Sequence, residues 1–179
     1  MVDFWFNHFN VDARKGAVKW MIADYERTAI RPHALGKFRD LLLATAQHPA
    51  MLFYLDNWMS TKARPRRAHG SQRGRQMGLN ENYAREMHGA AHAGRGRRRI
   101  RRRTSSTWRA FTGWSIDRPR EYGAPVFRLA AHDQGRSVFS DTSLPAGGGE
   151  QDGVRVIEIL VAAPVDGPLH RHQAGAGAS

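Results

Sequence analysis

The sequence predicts a mainly α protein, an irregular helical bundle with at most one short β-hairpin near residues 126–139. Three observations carry that expectation. Apolar residues recur at helical spacing in several consecutive segments of the first 59 residues. Proline and histidine–proline pairs punctuate those segments at short intervals. Alternation with a period of two is confined to two brief runs near the middle of the chain.

Residues 2–11 are rich in aromatics, with Trp5 and Phe9 four apart and Val2, Phe6 and Phe9 on one broad face, which predicts a buried helix. Val18, Met21, Ile22 and Tyr25 give residues 17–29 a second helical stripe. Arg31-Pro32 marks a boundary, since proline suits a first helical turn. Leu35, Phe38, Leu42 and Thr45 then follow at 3-4-3 spacing with Leu41 beside them, which predicts an amphipathic helix. His48-Pro49 ends it and opens another, carrying Leu52, Phe53 and Leu55. Four helices with short connections imply an all-α core.

Residues 60–77 have no apolar period and read as a long basic loop. Asn80 is placed to cap a helix, with Glu81 at its positive end and Arg85 one turn on. Residues 108–114 read as the end of a helix stopped by Gly113. Val126 to Leu129 and Ser137 to Phe139 read as two strands around a turn at His132-Asp133-Gln134-Gly135. Gly147 to Gly149 make a loop, and Val154, Ile157 and Val161 predict a last helix. Residues 164–179 have no period.

The chain of 179 residues suffices for one domain with a modest core. It has no cysteine, which excludes disulfides and thiolate metal sites. No apolar run reaches the roughly 18 residues of a membrane span, and the first residues do not form a signal peptide, because Asp3 stands where a basic region belongs. The net charge of +12 would suggest a polyanion partner. Its distribution argues otherwise. Residues 62–75 hold six cations and residues 95–103 hold seven, with no Asp or Glu in either window. These thirteen outnumber the whole net charge, so the basicity belongs to two segments without helix or strand pattern.

Several blocks together resemble the bacterial domain-of-unknown-function family 1800 (DUF1800). They are Phe4 to Phe9, Ile30 to Ala34, Phe38 to Leu42, His48 to Leu52, Gly78 to Glu86, Ala110 to Trp114 and Pro145 to Gly149, in the family's order. The resemblance implies a mostly helical protein of unassigned activity, exported to the periplasm or cell surface, with a longer N-terminal part. Met1 then corresponds to an internal methionine of the intact family.

After Glu86 the family continues as an amphipathic helix resembling ELMELHTLGVDGGYT, whereas this chain turns into a glycine, histidine and arginine tract. GC-rich codons for MELHTLGVDG, read from their third base, spell GAAHAGRRR, close to Gly89 to Arg99. Codons compatible with Val165 to Ala178 contain, in a neighbouring phase, STARFIATKLAR, an amphipathic segment. The expectation is therefore a partial family domain over residues 1–163, with 87–107 and the 164–179 tail translated off frame. Residues 1–59 are its helical core, 60–77 its basic loop, 78–86 a helix start, and 108–163 a helix, hairpin and helix. The off-frame segments are expected to pack poorly.

The candidate site residues follow from chemistry alone. His8 sits among Trp5, Phe6 and Phe9, as a ligand, an acid–base group or a packed histidine. Asn82 and Glu86 belong to the dense polar start of the helix capped by Asn80, and capping or surface pairing explains them equally. His132 and Asp133 fit a metal ligand, a general base or a side-chain-capped turn. His88 and His92 have metal-ligand spacing on a helix but fall in the off-frame segment. No phosphate loop, nucleophile elbow or zinc-protease pair occurs. None of these residues is assigned to a metal or a cofactor, and the sequence leaves the cofactor unknown. Incidental polyanion binding through Arg95 to Arg103 is expected by counterion release, without interleaved aromatics to stack bases. Three functions follow: a non-functional fragment, a cell-surface enzyme or scaffold as in the intact family, or a basic nucleic-acid binder.

Overall fold

A computed structural model describes residues 1–62, 80–91, 108–139 and 142–162. These are mainly helical, with two short antiparallel hairpins. Helix α1 spans Val2–His8 and α2 spans Val18–Tyr25. No residue of α1 is fully buried, because the helix lies on the surface; Phe9, just beyond it, carries its anchor into the core. The Tyr25 hydroxyl donates to the Phe9 carbonyl at 2.9 Å, and the Trp5 indole donates to the Ala34 carbonyl at 3.0 Å.

Helix α2 does not stop before Pro32. It widens into a π turn at Glu26–Ile30 and tightens into a 3-10 turn at Arg31–His33. Proline has no N–H to continue the α ladder, so the hydrogen-bond pattern changes on both sides of it. Helix α3 spans Phe38–Gln47 behind an extended Lys37. Leu35 therefore lies outside the helix and is 85% exposed, contrary to its place in the 3-4-3 pattern. Leu41, Leu42, Thr45 and Ala46 form the buried stripe. His48 is extended, as a residue before proline should be, and links α3 to α4 (Pro49–Tyr54).

Helix α5 spans Glu81–Ala91. Asn80 caps it, its Oδ1 accepting from the N–H groups of Asn82 at 3.0 Å and Tyr83 at 3.4 Å. Tyr83 and Met87 are buried, and the Tyr83 hydroxyl donates to the Ala46 carbonyl at 2.6 Å. The helix thus runs on through Met87 to Ala91, into the segment expected to be off frame, and Met87 packs in the core although that segment was expected to pack poorly.

A helical turn at 108–110 leads to Gly113, at φ +87°. A Cβ there would come within 2.9 Å of the Arg128 carbonyl and the Phe127 ring, so only glycine fits. Strands β1 (Trp114–Ile116) and β2 (Pro125–Phe127) pair antiparallel, as do β3 (Ser137–Phe139) and β4 (Thr142–Leu144). The strands expected around 126–139 exist, but they do not pair with each other. Between them His132 turns inward, its N–H donating to the Arg128 and Leu129 carbonyls in a helix-like turn, and Arg128 N–H donates to the Gly113 carbonyl. This fixes β2 beside β1.

Helix α6 (Gln151–Ala162) closes the fold, burying Val156, Ile157 and Leu160. Gly153 lies under the Trp114 indole. Arg39 of α3 pairs with Glu158 of α6 at 2.6 Å. One apolar cluster takes residues from α2, α3, α4, α5, β1 and α6. The Arg95–Arg103 tract, most of the basic loop and the 164–179 tail lie outside the described residues.

Candidate functional site

His8 is seated on α5. Its Nε2–H donates to the Ala90 carbonyl at 2.9 Å, and its ring meets Trp5 and Phe9 edge-on at 5.6 and 4.7 Å. Asn82 and Glu86 are exposed and share a helical stripe with Ala90. At about 1.5 Å rise per residue, Glu86 lies roughly 6 Å and Asn82 roughly 12 Å along the axis from Ala90. The structure therefore brings His8 to the end of α5 nearer Glu86 and a further turn from Asn82.

His132 and Asp133 point to different environments. Asp133 accepts from the Gly135 N–H at 3.0 Å, and Arg109 lies 3.5 Å from its other oxygen. That is a side-chain-capped turn. His132 is fully buried. Its Nδ1 lies 2.7 Å from the Thr112 carbonyl and 3.2 Å from the Thr112 hydroxyl, which already donates to the Arg109 carbonyl. Nδ1 therefore carries the hydrogen and donates to the carbonyl. Nε2 faces Asp152 Oδ2 at 3.2 Å. Asp152 is 6% exposed. This cluster ties the 108–113 turn, the 128–135 loop and the start of α6 together, and it is sealed from solvent.

A second histidine–carboxylate pair is open. His48 Nδ1 accepts from the Ala50 N–H at 3.1 Å and so caps α4. Nε2 then bears the proton and donates to Asp24 Oδ2 at 3.2 Å. Burial lowers the His48 pKa and outweighs the Asp24 carboxylate, which pulls it up. Burial pushes Asp24 up, but hydrogen bonds from Arg27 and His48 win and hold it below the usual carboxylate value. Both nitrogens of His48 are committed, so it serves as a fixed neutral donor and cap.

This pair lines a groove of about 460 Å3 between α2, the α3–α4 junction and the β1–β2 loop. Trp20, Thr28, Gln47 and Tyr122 also face it. Trp20 is 62% and Tyr122 48% exposed. Sequence reasoning missed the groove. It treated His48 as a helix terminator only, and Asp24, Trp20 and Tyr122 belong to no motif. The one available signal was a histidine before proline, where its ring can cap the next helix.

Among the described residues no three His, Asp or Glu side chains gather as a metal site, and no helix is long and apolar enough to cross a membrane. His92 and Arg95–Arg103 lie outside the described residues. Compared with protein families, the chain matches the one described as "Protein of unknown function (DUF1800)" over residues 1–168. No curated protein and no solved structure matches it.

Proposed function

The chain belongs to the DUF1800 family, and we propose that it is a damaged, non-functional fragment of an exported member, its helices arranged as an irregular bundle. The observation that carries this reading is the abrupt loss of helical text after α5, in a tract of seven arginines without one acidic residue. A one-base shift of GC-rich codons turns such text into arginine, and the same device accounts for the tail. The described surface supports it. Leu35, Phe4 and Leu129 are all more than half exposed. Trp58, Trp108 and Trp114 each bury an indole N–H that has no acceptor among the described residues, whereas buried polar groups are ordinarily paired. The nucleotide sequence, read in three phases across residues 86–108 and 162–179, tests it. A neighbouring phase should spell amphipathic segments at both places; if neither phase does, the reading fails.

One contact favours the intact-family alternative, a cell-surface enzyme or scaffold using His8, Asn82 and Glu86. It is the His8 bond to Ala90, which brings the ring onto the helix that carries the other two. A shared site requires hydrogen-bond or one-water reach, so separations above ~12 Å in a frame-intact relative would remove it.

A further inference from the structure

We propose that the groove between α2 and the β1–β2 loop binds a neutral saccharide, its C–H face against Trp20 and Tyr122 and its hydroxyls on Asp24, Thr28 and Gln47. The groove comes wholly from residues 20–49 and 122–125, outside both off-frame segments, so the proposal stands apart from the fragment reading.

Two large aromatics face this groove, although both are exposed enough to be costly on a surface with no use for them. Tyr122 is also held against its backbone preference, at φ +57°, with Arg118 at φ +40° in the same loop. A bulky side chain in the left-handed region is strained, because its Cβ crowds the neighbouring carbonyl oxygen. Such strain persists where the surroundings over-determine it and concentrates at ligand clamps. Here the loop is pinned by Asp117 N–H on the Ala124 carbonyl at 2.9 Å and Glu121 N–H on the Arg118 carbonyl at 2.8 Å. The result is a tyrosine fixed on the groove's rim.

The polar lining suits hydroxyls of both senses. The Thr28 hydroxyl donates to the Asp24 carbonyl at 2.8 Å, which leaves its oxygen as an acceptor. Asp24 accepts and is half exposed; the Gln47 amide both donates and accepts. Lys19 Nζ stands 4.8 Å from the centre of the Trp20 ring, and Arg27 pairs with the Asp24 carboxylate at 2.7 Å, so Asp24 offers hydrogen-bond acceptors rather than an unpaired charge. A ligand with one apolar face and hydroxyl edges satisfies aromatic, amide and carboxylate together. An adjoining hollow of about 260 Å3 shares Gln47 and Pro125 with the groove and offers room for a second sugar unit.

The test titrates the full chain with cellotriose, maltotriose and triacetylchitotriose, using saturation-transfer NMR and calorimetry, with spermidine and citrate as charged controls. At least one trisaccharide should bind saturably. Trp20→Ala and Tyr122→Asn should each weaken it about tenfold. Both side chains are exposed and asparagine tolerates the left-handed backbone, so the melting temperature should hold. Saturation by none of the three, preference for spermidine or citrate, or parent-like affinity in both variants would each overturn the proposal. The fragment reading fails separately, on the nucleotide sequence.

Discussion

Residues 1–59 and residues 108–162 feed one apolar cluster but close it by different means. The first region closes mainly with apolar side chains: Leu41, Leu42, Ala46 and Leu52 are almost fully buried on stripes spaced for a helix. The second closes around polar groups. His132, Thr112, Asp152 and Ser115 are buried and hydrogen-bonded, Ser115 through its hydroxyl to the Trp58 carbonyl at 2.9 Å. Asn57 crosses between the regions, its amide donating to the Phe111 and Trp114 carbonyls at 3.1 and 3.2 Å. Apolar packing tolerates change in proportion to the volume lost. A buried polar network fails at any one member, because the group left behind is desolvated and unpaired.

The sharpest break should come in the second region. Asp152→Ala should destabilise the fold by about 3–5 kcal/mol in urea unfolding, since it strands buried His132. Replacing both His132 and Asp152 by leucine should recover much of that loss. A penalty below ~1 kcal/mol for the single change would mean that the pair does not close this region. In the first region, Leu42→Ala should cost about 3 kcal/mol through its cavity. Leu35→Ala, from the same sequence stripe, should stay within about 0.5 kcal/mol because its side chain is already in water.

That contrast also explains what could be read beforehand. The helices of the first region were legible because burial there follows the 3.6 period. Leu35 broke it, displaced by Gly36 and the extended Lys37 that start α3 late, and so did α1, expected to be buried but lying on the surface. The Asn80 cap was legible for a local reason, a side chain bonding its own next turn. The pairing of β2 with β1 was not, since it depends on Gly113 admitting the Arg128 carbonyl, fifteen positions away. The histidine-to-Asp152 bond spans twenty residues and has no motif. His132 was visible as a candidate, its partner was not, and Asp133 drew attention only by adjacency. The groove was invisible for the same reason, being assembled from three separated segments.

A smaller effect probes the apolar packing within the second region. A Cβ on Gly153 would fall 2.5 Å from the Trp114 ring. Gly153→Ala should therefore destabilise by about 1–3 kcal/mol through overpacking, despite the better helix propensity of alanine. A gain in melting temperature would show that α6 can move off β1 freely.

The smallest effect concerns His48, the one histidine buried in the first region. Its pKa is lowered on folding by burial, against the pull of Asp24. A histidine whose folded value is depressed gives its full contribution above the unfolded value of about 6.5. That contribution is lost as the pH falls from there through the folded value, because the unfolded chain takes up the proton first. Protonation also removes Nδ1 as the acceptor for Ala50 N–H, the cap of α4. Urea unfolding at successive pH values below neutrality should show stability declining in this window. His48→Asn keeps a capping oxygen and should flatten that decline, with a change of no more than about 1 kcal/mol at pH 8. Asp24, whose folded value is also depressed, contributes above the ordinary carboxylate range and loses its share only below it, so the two titrations separate. An unchanged slope in His48→Asn would place the proton uptake elsewhere and remove His48 as the neutral cap that joins α3 to α4.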